Sequence, residues 1–197
     1  FNQLAKHNDE RTIFASNTSS LSITALAREM QHPERFAGLH FFNPAPLMKL
    51  VEVVKGETTL EEVVQQLVEL TKAFGKVPVV CKDVPGFIVN RILMPMINEA
   101  IFALEENVAP AEAIDLAMTT GTNHPVGPLA LADRIGLDTV LAICEVLHQD
   151  LGEPKFRPCP LLRRYVEAGW LGKKSGRGFY VYDETDPFTE ARALRTK

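Results

Sequence analysis

The sequence predicts an α/β portion followed by an all-helical portion. Up to residue 82, short apolar runs rich in β-branched and aromatic residues alternate with helical patterns, which is typical of an α/β sheet. Beyond that point only helical patterns follow. Turn and helix-start residues cluster at 82–86 and mark the boundary. The first portion by itself corresponds to half of a doubly wound fold.

The α/β portion alternates predicted strands with predicted helices. The strands are expected at 12–15, 36–42, 50–54 and 77–81, and the helices at 23–30 and 59–74. The second helix is amphipathic, with a stripe of Leu and Val residues at helical spacing. Thr58 or Thr59 is its expected N-cap, and Gly75 its expected C′ residue.

The helical portion begins with a long apolar segment at 87–106. Because this segment is apolar on most sides, we expect it to be buried centrally or at an interface. Further helices are expected at 110–119, 128–135, 138–151 and 160–168, and a terminal strand or extended arm at 179–182. Asp138 is the expected N-cap of its helix. The charged tail at 183–197 is expected to be poorly ordered.

Composition argues against several classes of protein. With 46% hydrophobic and 23% charged residues, the 197-residue chain has enough apolar side chains for one or two globular domains. The net charge of −4, with scattered basic residues, argues against a nucleic acid partner. No apolar run reaches the roughly 18 residues of a membrane span, and the sequence lacks the layout of a signal peptide. We therefore expect no membrane association.

The cysteines indicate a reducing compartment. Cys81, Cys144 and Cys159 are odd in number and widely spaced, with neither metal-ligand spacing nor a disulfide framework. We therefore expect no metal site. The expected location is the cytoplasm, or the mitochondrial matrix if the source is a eukaryote.

One His and one Glu lie inside two apolar strands on either side of a Pro-containing turn. If the turn centres near Pro46, antiparallel pairing brings His40 level with Glu52. Directly opposed residues have Cβ atoms roughly 4.5–5.5 Å apart, close enough for an imidazole N–H to meet a carboxylate. The pair suits general base catalysis, since the carboxylate fixes the imidazole tautomer and stabilises the imidazolium. A structural interpretation stays open, because buried ion pairs also form for structural reasons.

Four further residues have two interpretations from the sequence alone. Ser19 follows a strand, where α/β sheets bind ligands, but runs of Ser, Thr and Asn also form turns and N-caps. Asn43, after the second strand, is equally a turn former. Asn90 lies near the start of an apolar helix, where an amide needs a hydrogen bond. Lys174 belongs to a basic loop that suits either an anion or solvent.

A series of short motifs runs along the chain. They are Ala15-Ser-Asn-Thr-Ser19-Ser-Leu, His40-Phe-Phe-Asn43-Pro, Leu50-Val-Glu52-Val, Pro85-Gly-Phe-Ile-Val-Asn90-Arg, Pro125-Val-Gly-Pro-Leu, Gly136-Leu-Asp and Gly172-Lys-Lys-Ser-Gly-Arg-Gly-Phe-Tyr. In order and spacing, over residues 12–182, the series resembles the L-3-hydroxyacyl-CoA dehydrogenase family. The residues within these motifs resemble those of the single-function 3-hydroxyacyl-CoA or 3-hydroxybutyryl-CoA dehydrogenases more than those of the multifunctional β-oxidation subunits.

The resemblance implies a fold and a reaction. Residues 1–82 would form the C-terminal part of a Rossmann-like NAD-binding domain. Residues 83–182 would form an all-α, 6-phosphogluconate-dehydrogenase-like domain that binds substrate and makes a homodimer. The implied reaction is NAD-dependent oxidation of L-3-hydroxyacyl-CoA to 3-oxoacyl-CoA, in fatty acid β-oxidation or hydroxybutyryl-CoA metabolism. The sequence leaves open the acyl-chain length and the choice between NAD and NADP.

The resemblance also implies roles for individual residues. His40 would remove the proton of the 3-hydroxyl group, and Glu52 would orient His40 and stabilise its imidazolium form. Ser19 and Asn90 would contact the substrate oxygen on which charge develops. The implied cofactor-binding residues are Ser19, Asn43 and Lys174.

One family feature is missing from the sequence. Members of the family open with a strand, a Gly-x-Gly-x-x-Gly turn and a helix that hold the dinucleotide pyrophosphate. No such motif occurs, and the Gly-dense segment at 172–178 precedes a short aromatic strand instead. We therefore expect the chain to be a fragment that lacks the first half of its cofactor domain and is inactive by itself.

Two alternatives remain at this point. The first is a non-catalytic structural or dimerisation module on the same fold, which would have no reason to keep a buried His–Glu pair. The second is a 6-phosphogluconate-type hydroxyacid dehydrogenase, which would use a lysine on the helix between the domains. Asn90 stands at that place.

Overall fold

The computed structural model describes residues 1–182 and 192–193. The chain divides into two compact units, Phe1–Val89 and Asn90–Lys197. The predicted class is confirmed, since the first unit is a Rossmann-like sheet with helices and the second is helical. The expectation of a poorly ordered tail at 183–197 lies outside the described residues, apart from 192–193.

The first unit alternates strands and helices. Its strands are β1 (Phe14–Ser16), β2 (Phe36–Phe41), β3 (Leu50–Lys55) and β4 (Val77–Lys82). Its helices are α1 (Asn2–Ala5), α2 (Ile23–Arg28) and α3 (Glu61–Ala73). A 3-10 turn at Pro33–Arg35 leads into β2. Each predicted strand and helix of this portion is present, with ends shifted by a few residues.

The four strands form one mixed sheet in the order β1-β2-β3-β4. β1 runs parallel to β2, and β3 runs parallel to β4, while β2 and β3 are antiparallel. In the β2–β3 pair, His40 stands directly opposite Glu52, which confirms the predicted register.

The two faces of the sheet bury different residues, because side chains alternate along a strand. The face toward α3 holds the aliphatic cluster Ala37, Leu39, Val51, Val53, Val63, Val64 and Leu67. On the other face, Phe36 and Val54 pack with Ile23 of α2. The site residues of β2 and β3 lie on this second face, since each is an even number of residues from Phe36 or Val54. His40 and Glu52 are therefore side by side within the unit.

The chain continues after β4 in helices. These are α4 (Val89–Glu105), α5 (Ala111–Gly121), α6 (Pro128–Ile135), α7 (Leu137–Leu151) and α8 (Pro160–Glu167). The short strands β5 (Tyr180–Val181) and β6 (Arg192–Ala193) pair antiparallel. The core of the second unit is Met94, Ile97, Ala100, Ile101, Ala111, Leu129, Ala132, Leu137, Val140, Cys144, Leu147, Phe156, Cys159, Leu162, Phe179 and Tyr180.

Two buried carboxylates join the segment around β5 to the helices of the second unit. Asp115 of α5 accepts hydrogen bonds from two backbone N–H groups in the first turn of α6 and from the Tyr180 hydroxyl, at 2.7–2.9 Å. Asp133 of α6 accepts the N–H groups of Phe179 and Tyr180 and the hydroxyl of Tyr182, each at 3.0 Å. Burial raises the pKa of Asp133 against the lowering effect of these hydrogen bonds.

The predicted cap of α3 is wrong. Its N-cap is Leu60, with no side-chain capping bond. Thr59 is buried, and its hydroxyl accepts the Gly56 N–H at 3.0 Å and donates to the Phe36 carbonyl at 2.6 Å. This side chain therefore joins the end of β3 to the start of β2. The other end of the helix is as predicted, since Gly75 has a φ of 71°.

Two further helix starts differ from the prediction. α4 begins at Val89 rather than at residue 87, because a turn with two positive φ angles precedes it. α7 begins at Leu137, with Gly136 as its N-cap. Asp138 therefore lies inside the helix, and its carboxylate binds Lys174 Nζ at 2.6 Å.

None of the helices in the described part of the chain combines the length and apolarity needed to cross a bilayer. Within the same residues, no group of three or more His, Cys, Asp and Glu side chains is arranged to hold a metal ion.

Candidate active site

His40 and Glu52 form a hydrogen-bonded pair inside the first unit. His40 Nδ1 lies 2.8 Å from Glu52 Oε2, and 5% of His40 and 0% of Glu52 is exposed to solvent. Because an ionised carboxylate can only accept a hydrogen bond, Nδ1 carries a proton, and in the neutral imidazole Nε2 is then the acceptor. An acceptor nitrogen is what a general base requires.

The surroundings of Glu52 keep its carboxylate ionised. Burial raises the pKa of the group, but hydrogen bonds from His40 and from the N–H groups of Val89 and Ile88 outweigh burial and hold the pKa below its ordinary value. Both N–H groups lie 3.0 Å from Oε1, at the start of α4. A helix N-terminus also favours negative charge. Both oxygens of the buried carboxylate therefore have partners.

The turn before α4 presents these N–H groups to Glu52. Gly86 and Phe87 have φ angles of 76° and 48°, and the value is unusual for Phe87 because it has a side chain. The Phe87 ring is buried, with its centroid 5.6 Å from that of the His40 ring. Phe42 lies on the imidazole as well, at 4.6 Å between centroids. The packing that holds the strained turn is therefore the packing that holds the imidazole.

The loop after β1 is bonded to the end of β2. Asn17 Oδ1 accepts the N–H of Phe41 at 2.8 Å. Thr18 Oγ1 accepts two N–H groups that follow Ser19, at 3.3 and 2.9 Å, and so closes a turn around Ser19. Asn43 is exposed in the turn after β2. Neither the Ser19 nor the Asn43 side chain forms a hydrogen bond with another described residue.

Asn90 and Lys174, the other predicted site residues, belong to the second unit. Asn90 is buried at the second position of α4, directly after the residue whose N–H binds Glu52. Lys174 lies in a 3-10 turn at Lys173–Ser175, where its ammonium group forms the ion pair with Asp138. The structure therefore brings His40 and Glu52 into contact, and it pairs Lys174 with Asp138 of the second unit.

Sequence reasoning misses the groups that support the His–Glu pair. Asn17, Phe42 and Phe87 carry no pattern that separates them from ordinary turn or core residues. The backbone donors at the start of α4 leave no side-chain signal. Their one sign in the sequence is Gly86 just before a helix, since a helix N-terminus is where a buried carboxylate finds free N–H groups.

Two family models match the chain. The model described as "3-hydroxyacyl-CoA dehydrogenase, NAD binding domain" matches residues 1–84, and "3-hydroxyacyl-CoA dehydrogenase, C-terminal domain" matches residues 86–182. The chain belongs to the 3-hydroxyacyl-CoA dehydrogenase family. The resemblance of its motifs is thereby confirmed, and so is the expectation of an NAD-binding domain.

Individual relatives in this family are similar at high identity. A probable 3-hydroxybutyryl-CoA dehydrogenase of Bacillus subtilis is 61% identical over 173 residues, which cover 88% of this chain and 60% of that protein. The mitochondrial hydroxyacyl-coenzyme A dehydrogenase of Homo sapiens is 50% identical over 183 residues, covering 92% of this chain and 58% of that protein. The crystal structure of (S)-3-hydroxybutyryl-CoA dehydrogenase PaaH1 from Ralstonia eutropha has a TM-score of 0.91 at 52% identity, covering 93% of this chain and 65% of that one.

These 3-hydroxyacyl-CoA dehydrogenases are longer than the chain. It spans 60–66% of the length of the first curated relatives that it matches.

Proposed function

We propose that the chain is the catalytic and helical part of an NAD-dependent L-3-hydroxyacyl-CoA dehydrogenase, with His40 as its general base. The observation that carries the proposal is the buried hydrogen bond between His40 Nδ1 and Glu52. A histidine that served only the core would not need a fully buried carboxylate beside it, since burying that charge is costly.

In the proposed reaction His40 Nε2 accepts the proton of the 3-hydroxyl group as the carbon atom that bears it is oxidised to the ketone. Glu52 stabilises the imidazolium that forms, and it remains ionised because three N–H donors hold it. In the reverse direction the imidazolium returns the proton to the oxygen. The fixed Nδ1–H···carboxylate bond ensures that Nε2 is the reacting nitrogen in both directions.

Residues of the first unit suit the nicotinamide cofactor of the family. The loop after β1 lies at the carboxyl end of a parallel strand, where α/β sheets bind ligands. It carries Ser19, and the turn after β2 carries Asn43, both with side chains free of hydrogen bonds to described residues. These two would hold the cofactor, which when bound would accept the C3 hydrogen of the substrate with its two electrons, as a hydride. The absence of a Gly-x-Gly-x-x-Gly turn leads us to expect that the 197-residue chain by itself binds NAD weakly and is inactive.

The second unit supplies the other proposed contacts. We assign Asn90 to the substrate oxygen, together with Ser19, where a hydrogen bond stabilises developing charge. We assign Lys174 to the cofactor, in which case its ion pair with Asp138 fixes its position. The substrate is an acyl-CoA thioester, as the names of the relatives indicate. Three free cysteines suit the reducing compartment expected from the sequence.

The test is to replace His40 by Gln in the full-length enzyme. Turnover of acetoacetyl-CoA with NADH should fall by about 10²–10⁴-fold, because His40 transfers its proton to the substrate oxygen in the transition state of this direction and Gln cannot. NAD affinity, measured by calorimetry, should stay close to the wild-type value. If His40 were a core residue, the variant would melt at a lower temperature and keep a near-normal kcat.

Glu52→Gln is the companion variant. It should cost less turnover than His40→Gln, because the base stays in place but loses part of its orientation and charge stabilisation. The non-catalytic module is the rival function, and it predicts that the wild-type full-length protein has no turnover at all. A stable His40→Gln enzyme with the wild-type kcat would end the catalytic assignment.

A further inference from the structure

We propose that Asn17 is a positioning residue for the reaction, which holds the end of β2 that carries His40 to the loop that carries Ser19. The inference rests on the proposed function and adds to it a residue that touches neither the imidazole nor the carboxylate. Asn17 is the second residue of the run Ser-Asn-Thr-Ser-Ser that follows β1.

The bond made by Asn17 continues the sheet where a strand has ended. β1 stops at Ser16, which is in register with Gly38, whereas β2 runs on to Phe41. Beyond that point β2 has no strand on its β1 side in the described part of the chain. Asn17 Oδ1 accepts the N–H of Phe41 at 2.8 Å, so a side-chain amide replaces the missing backbone acceptor.

This bond fixes the backbone next to the base. Backbone N–H groups alternate in direction along a strand. Because the Phe41 N–H points to the β1 side, the N–H of His40 points to the β3 side, toward the strand of Glu52. Asn17 therefore holds β2 from one side while β3 holds it from the other. Without Asn17 the last residues of the strand can fray, and the imidazole would move with them.

The same residue fixes the loop. Asn17 comes two positions before Ser19, and the bonds from the Ser20 and Leu21 N–H groups to Thr18 Oγ1 close a turn that contains Ser19 directly after Asn17. Together with the β1–β2 ladder, the Asn17–Phe41 hydrogen bond thus sets the distance between the strand that bears the base and the loop that bears the proposed oxygen contact. Catalysis is sensitive to such distances, since a shift of about 1 Å can cost about 10²-fold in rate.

The contribution of Asn17 to stability should be small. Its side chain is exposed, so water can take over the Phe41 N–H when the amide is removed. A positioning role and a stabilising role therefore predict different results. Loss of the amide should leave the melting temperature almost unchanged and lower the turnover.

The experiment compares three variants of the full-length enzyme with acetoacetyl-CoA and NADH as substrates. Asn17→Ala removes the acceptor, and kcat should fall roughly tenfold, with KM for both substrates within about twofold of wild type. Asn17→Asp keeps an oxygen acceptor, and it should restore most of the kcat on the pH plateau. Thr24→Ala is the matched control, since Thr24 Oγ1 also accepts a backbone N–H of the same unit, that of Glu57 at 3.1 Å, and Thr24 belongs to α2 rather than to β2, β3 or the loop after β1.

Each outcome decides the inference. A fall in kcat for Asn17→Ala alone, with rescue by Asn17→Asp, supports it. A wild-type kcat in Asn17→Ala overturns it, as does an equal fall in Asn17→Asp or a fall in Thr24→Ala of the same size. A change confined to KM also overturns it. The proposed function fails separately, since it fails if the wild-type enzyme shows no turnover or if a stable His40→Gln enzyme keeps the wild-type kcat.

Discussion

The His40–Glu52 pair shows what one residue needs when it is charged and fully buried. The desolvation of Glu52 is offset by three donors that come from two places in the chain, the imidazole on β2 and two N–H groups at the start of α4. Only the first was predictable, because the register of a hairpin follows from its turn and from the alternation of side chains. The other two depend on where a helix begins, which is set by the turn at Gly86 and Phe87.

Glu52 should make the stability of the first unit depend on pH in a defined direction. Its pKa in the folded chain is lower than the ordinary value of 4.5. The stabilisation is therefore complete above about pH 4.5 and is lost as the pH falls through the folded-state pKa. Glu52→Gln should cost about 2–3 kcal/mol of unfolding free energy at pH 5, because hydrogen bonds to a charged group are lost. At pH 3 the difference between wild type and variant should be smaller.

Urea denaturation of wild type and Glu52→Gln at pH 5 and pH 3 measures the difference in unfolding free energy. Glu69→Gln is the control, since the Glu69 side chain is exposed and forms a surface ion pair with Lys72. It should stay within about 0.5 kcal/mol of wild type at both pH values. A difference between Glu52→Gln and wild type that grows toward pH 3 would contradict the assignment of Glu52 as an ionised, hydrogen-bonded group.

At the scale of elements, the glycines of the second-unit motifs have a physical explanation. A Cβ on Gly127 would overlap the Asp115 carboxylate, and a Cβ on Gly178 would overlap the Asp133 carboxylate. These glycines let a backbone N–H approach a buried carboxylate directly. The backbone of the motif at 125–129 therefore packs directly against Asp115, and the backbone of the motif at 172–180 packs directly against Asp133.

This explanation predicts the effect of a single methyl group. Gly178→Ala should destabilise the second unit by about 3 kcal/mol or more, because the overlap with a buried, hydrogen-bonded carboxylate cannot relax easily. Gly121→Ala is the matched control, since a Cβ at the end of α5 meets nothing within 4 Å. It should be neutral or stabilising by up to about 1 kcal/mol. Denaturant midpoints compare the two, and equal destabilisation would refute the carboxylate-contact explanation.

The same elements show what the sequence could and could not predict. Strands and helices followed from their periods of two and of about 3.6 residues, which depend only on near neighbours. The partners of the predicted capping side chains did not follow from these periods. Thr59 bonds to β2, and Asp138 bonds to Lys174, 36 residues further along the chain. A polar residue before a helix has the same sequence pattern whether it caps that helix or binds a distant group, so the pattern cannot separate the two.

At the scale of the whole molecule, the exposed apolar surface that suits a homodimer lies mostly outside the segment 87–106. From the sequence, the apolar segment 87–106 is expected to be buried centrally or at an interface. The structure buries Met94, Ile97 and Ile101 in the core of the second unit, and Phe87 lies in the first unit beside His40. Other side chains of the second unit are the exposed ones, among them Val108, Leu116 and Ile92, at 71%, 62% and 67%. Val108 also lines an apolar cleft of about 560 Å³ with Leu104, Pro110, Leu161 and Tyr165.

We predict a homodimer that associates through these exposed apolar residues of the second unit. Light scattering of the wild-type protein at micromolar concentration should give the mass of two chains. Val108→Asp and Leu116→Asp should shift the mass toward one chain, because a charge on a two-fold interface is buried twice and costs several kcal/mol. Leu21→Asp and Phe74→Asp are the controls, since both positions are exposed in the first unit, and they should leave the dimer intact. A monomeric wild type, or a dimer that only the first-unit charges dissociate, would show that the helical unit is not the interface.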